Sequence, residues 1–137
     1  MVVIMKRIGV FLIIIMLGVY CFNSNKKTFD LPKASKVEFS HVHGGAMTTV
    51  YECDKSKISS LIKDIEEKSS YSKESVNDNP NGVDYIKVKM DTKTYYVYER
   101  HGKTYIEEPY NGIWEIPSDL YKSIKHNKDK LIVEYED

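Results

Sequence analysis

The residues Ile58, Leu61, Ile62 and Ile65 fall at i, i+3, i+4 and i+7, one apolar stripe of an amphipathic helix beginning near Asp54. Asp54 or Ser56 is placed to cap that helix. On either side the period changes to two. Ile86, Val88 and Met90 alternate with Lys87 and Lys89, and strands are predicted over residues 83–90, 94–100 and 103–107. Upstream, residues 36–43 and 46–52 flank Gly44 and Gly45, a pair that supplies the positive φ angles of a two-residue hairpin turn and sets Phe39 opposite Val50. A second tight turn at His101 and Gly102 pairs Arg100 with Lys103, Val97 with Ile106 and Tyr98 with Tyr105, and a turn at Thr92 and Lys93 sets Val88 opposite Val97.

Val88, Val97 and Ile106, with Ile86 and Met90 beside them, then share one face for the helix to cover, while Lys87, Lys89, Tyr96, Tyr98, Tyr105 and Glu107 line the other. A shorter helix is predicted over residues 118–126, with Pro117 at its entry and Leu120, Tyr121 and Ile124 inward, and an edge strand over residues 131–135. Residues 69–82, rich in Ser, Asn and Asp, read as a loop. The expected fold is a single α+β domain: an antiparallel sheet, made of an N-terminal hairpin and a three-stranded meander, packed by one main amphipathic helix and a second shorter one.

Before this domain the pattern is different. Lys6 and Arg7 precede an uncharged run over residues 8–22 (IGVFLIIIMLGVYCF), the order of a positive n-region and an apolar h-region. Fifteen residues make a helix of about 22 Å, short of the roughly 30 Å hydrocarbon core, so a cleaved export signal fits better than a spanning helix. Starting at Met5 instead of Met1 gives a more ordinary leader, MKRIGVFLI. Cys21 invites lipidation, which would tether the domain to the membrane, but Tyr20 and Gly18 stand where a lipobox wants a small residue and Leu. Cleavage before Phe22 or retention as an anchor are the other outcomes. The expected organisation is a signal peptide or membrane anchor over residues 1–22, a polar linker over 23–28 and the folded domain over 29–137, outside the cytoplasm in every case.

Composition narrows the function classes. In 137 residues, twenty Lys and Arg balance twenty Asp and Glu, which removes the uniformly basic surface of a nonspecific nucleic-acid binder. From Asn23 onward eighteen cations face twenty anions, a net charge of −2. Two cysteines, Cys21 and Cys53, are too few for a disulfide scaffold or a four-thiolate zinc site.

The block GKTYIEEPYNGIWEI, residues 102–116, with YYVYER before it and SDLYKSI after it, resembles a family of small exported domains of unknown function in Gram-positive bacteria. The stretch from FDLPKASKVEFSHVHGG to LIKDIEE fits the same pattern more loosely, so the resemblance spans residues 29–124. It carries no catalytic motif and implies no cofactor. Its most characteristic residues, Pro109, Tyr110, Asn111 and Gly112, have the chemistry of a turn, in which Pro fixes φ and Gly permits a left-handed residue.

Candidate chemistry is sparse. His41 and His43, at i and i+2 on one strand, present both rings on one face, as two of three zinc ligands do, but no third ligand is identifiable. Cys53 stands just before the first helix, where the helix dipole would lower a thiol pKa, yet no base accompanies it. Glu107 and Glu108 are adjacent and point to opposite faces of a strand, so they do not make a carboxylate pair. No G-x-S-x-G elbow, HExxH, phosphate loop or dinucleotide fingerprint occurs. What remains is recognition: Tyr96, Tyr98 and Tyr105 between Lys87, Lys89 and Arg100 suit a protein, peptide or cell-wall polymer with apolar and anionic parts. The reading is a non-enzymatic binding module at the cell envelope; the alternative is an envelope metal-binding or redox protein using His41, His43 or Cys53.

Overall fold

The structure, a computed structural model, describes residues 27–133, with side chains as far as Lys125. The leader with Lys6, Arg7 and Cys21 lies outside the described residues. Seven antiparallel strands form one sheet in the order β2-β1-β4-β5-β6-β7-β3. They are β1 Lys36–His43, β2 Ala46–Asp54, β3 Ser70–Lys73, β4 Tyr85–Met90, β5 Lys93–Arg100, β6 Lys103–Glu108 and β7 Gly112–Ile116. Helix α1, Ser59–Lys68, follows a 3-10 turn at Lys55–Ile58, and α2 is Ser118–Val133. The α+β expectation holds, and hairpin and meander are one sheet because β1 pairs with β4.

Both helices cover the same face. The α1 stripe of Ile58, Leu61, Ile62 and Ile65 and the α2 residues Leu120, Tyr121 and Ile124 are buried in one cluster with Val37, Phe39, Ile86, Val88, Met90, Val97, Ile106, Trp114 and Ile116. Tyr95 joins them with no exposure at all. Neither Asp54 nor Ile58, the cap positions of the 3-10 turn and of α1, makes a side-chain cap bond. The Lys55 amide instead donates to the Ser35 carbonyl at 2.8 Å. Phe29 and Leu31 close the core from the N-terminal side, and the Leu31 amide donates to Glu66 at 3.0 Å.

Three registers tell different stories. Around His101 (φ 52°) and Gly102 (φ 74°) the pairs are the expected Arg100–Lys103, Val97–Ile106 and Tyr98–Tyr105. At the β4–β5 turn it is Asp91, at φ 55°, that begins the turn, so Met90 pairs with Lys93 and Val88 with Tyr95, not Val97. That slip of two residues preserves every face assignment, because side-chain direction repeats every second residue. In the first hairpin the Gly44–Gly45 turn forms as expected, but the register shifts at His41 and Val42. Phe39 therefore lies opposite Tyr51, not Val50, and the two rings stack at 5.1 Å.

Five further expectations change. Residues 69–82 are not all loop: Ser70–Lys73 add β3 against β7, with Tyr71 packed on Trp114. The segment after Pro109 is more than a turn, since Gly112–Ile116 form β7 and carry Trp114, 1% exposed, into the core. The strand expected over residues 131–135 is replaced through Val133 by α2, which runs past His126. Nor does Gly112 supply the left-handed turn residue; Tyr110 does, at φ 59°. Lys27, counted in the linker, is held by the fold: its carbonyl accepts the Trp114 indole N–H at 3.0 Å, and its Nζ donates to Glu74 at 2.8 Å and to the Asn111 carbonyl at 3.0 Å.

Candidate binding face

The sheet face away from the helices carries the aromatic and cationic residues singled out by their alternation. Tyr85, Lys87 and Lys89 come from β4, Tyr96, Tyr98 and Arg100 from β5, and Tyr105 and Glu107 from β6. Cross-strand pairing sets Lys87 beside Tyr96, Tyr85 beside Tyr98, and Tyr98 beside Tyr105. The rings of Tyr85 and Tyr96 meet edge-on at 5.1 Å, those of Tyr98 and Tyr105 at 5.7 Å, and the Arg100 guanidinium lies 5.5 Å from the Tyr98 centroid. Tyr85 is the member that the sequence reading missed; it precedes Lys87 by two, so period two alone identifies it.

One part of this face is closed. The segment of residues 74–84, between β3 and β4, crosses it as a strap. Ser75 donates to the Glu107 carboxylate at 2.6 Å, Arg100 to the Asn81 carbonyl at 2.6 Å, and Tyr110 to Asp78 at 2.5 Å. At its end Asp84 accepts the Gly44 amide at 2.9 Å and contacts His43 Nδ1 at 2.5 Å. These bonds, the Gly44 amide foremost, hold the Asp84 carboxyl below its ordinary pKa. Beneath the strap Glu107 is 2% and Tyr98 3% exposed. Burial first, and the nearby Glu107 charge second, push the Tyr98 phenol far above its ordinary pKa.

The six expected contact residues therefore divide. Tyr98 is buried and Arg100 is committed to the strap, so neither belongs to the open surface. Lys89 is exposed, and Lys87, Tyr96 and Tyr105 are half-buried. Packing of α2 on this face, through Leu120 and Ile124, does not occur, since both residues lie in the opposite core.

Other candidates are placed as follows. Cys53 is 4% exposed on β2 opposite Val37, and burial, then the Asp54 charge, pushes its thiol pKa up. The lowering expected from a helix dipole is outweighed by that burial, and the 3-10 turn separates Cys53 from α1. His41 is half-buried with its ring stacked 5.9 Å from Tyr51, whereas His43 is exposed and bound to Asp84. Among the described residues no group of three or more His, Cys, Asp or Glu side chains is placed to hold a metal ion. Glu107 and Glu108 diverge as expected, the second pairing with Lys93 at 2.9 Å and accepting from Asn111 at 2.8 Å.

The sequence model of DUF5301, described as a domain of unknown function (DUF5300), matches residues 25–115. The chain belongs to this family. The DUF5301 match begins just before Lys27 and ends within β7, so it takes in β1 to β6, α1, the strap and Trp114 but not α2. It is narrower at its C-terminal end than residues 29–124, over which the sequence resemblance was drawn. No curated protein and no solved structure matches the chain. Among the described residues no helix is long and apolar enough to cross a membrane.

Proposed function

We propose that this DUF5301 domain is exported, of the Gram-positive kind, and works at the cell envelope as a non-enzymatic binding module. The observation that carries the binding role is the open remainder of the outer sheet face: Tyr96 and Tyr105, half-exposed, beside Lys87 and exposed Lys89. Aromatic rings framed by ammonium groups favour a ligand with apolar and anionic parts, and the near-neutral domain leaves recognition to this local set. The export role rests on Lys6, Arg7 and the apolar run after them, which would also bring the domain to the membrane. A metal or redox role for His41, His43 or Cys53 has less support, since Cys53 is buried with a raised pKa and His43 is held by Asp84.

Two measurements test the reading. A C-terminal fusion of the full chain to a reporter that works only in the cytosol should be inactive; full reporter activity overturns export. For binding, the full chain is titrated with a purified anionic cell-wall polymer. The double variant Tyr96→Ser, Tyr105→Ser should lose about tenfold or more in affinity while retaining its circular dichroism. Undiminished affinity, or no binding by the unaltered chain, removes this face. Tyr98 is left in place because it is packed under the strap.

A further inference from the structure

β2 and β3 are the two outer strands of the sheet, and their edges differ. β3 has four residues and β2 has nine, and each carries one register irregularity against its neighbour. Free edges in soluble proteins are ordinarily blunted by charge, proline or a covering element, because unpaired backbone groups template further strands. From Ala46 to Tyr51, β2 reads AMTTVY, without a charge or a proline. Met47 and Val50 on it are 59% and 52% exposed.

The bulge gives these two residues a common direction. Between His41 and Val42 the partner positions on β2 jump from Thr49 to Met47, so Thr48 is an extra residue, and its Oγ1 donates to the His41 carbonyl at 3.2 Å. In a regular strand residues three apart point to opposite sides; the extra residue cancels that half-step. Met47, opposite Val42, and Val50, opposite Ser40, thus share the outer face of the sheet.

We propose that β2 is a homodimer interface, pairing antiparallel with β2 of a second copy about a two-fold axis between Thr48 and Thr49. In that register Met47 of each chain lies opposite Val50 of the other, Thr48 opposite Thr49, and Ala46 opposite Tyr51. The uncharged stretch is complementary to itself, as an isologous interface requires. Beyond it Glu52 falls opposite Gly45, where even an added Cβ would meet nothing within 4 Å, so the acidic ends of the two strands clear each other. Glu52 is paired with Lys36 of the same chain at 2.9 Å, so this carboxylate does not call for a basic foreign strand.

The test is sedimentation of the full chain in mild detergent over about a hundredfold range of concentration. The unaltered chain should dimerise. Met47→Lys with Val50→Lys should raise the dimer dissociation constant about a hundredfold or more, with an unchanged circular dichroism spectrum, since both sites are exposed. Val76→Lys, at a residue 74% exposed on the strap, should leave it unchanged. A monomeric unaltered chain, a dimer that survives the double lysine variant, or a monomer produced by Val76→Lys overturns the proposal. Oxidation of a chain carrying Thr48→Cys and Thr49→Cys tests the register without added charge: disulfide-linked peptides from this segment of two chains are expected, and their absence overturns it.

Discussion

Val97→Asp should unfold the domain, and Tyr98→Ser, one residue along the same strand, should weaken it by about 2–4 kcal/mol. Val97 has no exposure, and its cross-strand neighbours Ile86 and Ile106 are 2% exposed each. It lies under the Ile62 and Ile65 stripe of α1 and Ile124 of α2. Aspartate there forfeits roughly 1.5–3 kcal/mol of apolar burial and strands a carboxylate that must either remain unsolvated or take up a proton, a further loss of several kcal/mol. Against a total stability of about 5–15 kcal/mol, that sum leaves little or no native state. Were the outer face solvated, Tyr98→Ser would cost almost nothing. The strap makes it a second buried site, 3% exposed, with Glu107, itself bonded by Ser75, at its hydroxyl end. Urea titrations of the two variants, with Lys89→Ser as an exposed reference on the same face, should rank them Val97→Asp, Tyr98→Ser, Lys89→Ser in decreasing loss. A Tyr98→Ser loss no larger than that of Lys89→Ser would show that the strap does not seal the ring.

Gly112→Ala should cost about 1–3 kcal/mol, although its backbone adopts no left-handed angle. An added Cβ would stand 2.8 Å from Trp114 Cη2 and 3.1 and 3.2 Å from Cζ3 and Cζ2. The indole has no freedom to retreat: its N–H donates to the Lys27 carbonyl, and Phe29 and Tyr71 stand edge-on at 5.0 and 5.9 Å. Either the ring shifts and loosens the N-terminal segment, or β7 moves against β6. Trp114 is the sole tryptophan, so its emission reports the displacement directly. In a Trp114→Leu background the obstructing ring is gone, and Gly112→Ala should become nearly neutral, a coupling of about 1–3 kcal/mol. Additive losses would mean that Gly112 is required for some reason other than the approach of the indole.

What was legible in the chain shares a short physical range. The α1 stripe needs only the 3.6-residue repeat over Ile58 to Ile65, and the β5–β6 register needs only the His101–Gly102 turn; both are as expected. The β4–β5 register slipped because Asp91 tolerates a left-handed angle that its sequence did not require of it, and the slip was harmless because it was even. Of the candidate face, the membership of Lys87, Lys89, Tyr96, Tyr98, Arg100 and Tyr105 was readable from alternation. Their availability was not, because a polar segment without apolar periodicity carries no sign of where it will lie.

The sequence by itself thus determined the α+β class, the helix with its buried stripe, the Gly44–Gly45 and His101–Gly102 turns, and which side of each meander strand is apolar, since each follows from the spacing of neighbours along the chain. Only the tertiary structure decided that β1 joins β4, that Ser70–Lys73 and Gly112–Ile116 are strands, and that Thr48 is an extra residue in β2. It alone placed residues 74–84 over Tyr98 and Glu107 and made Gly112 a matter of room for Trp114. Each of these depends on groups that are remote in the chain or on a choice between registers of similar local merit. Such choices are made by the packing of the whole sheet against its helices, not by the preferences of any one segment.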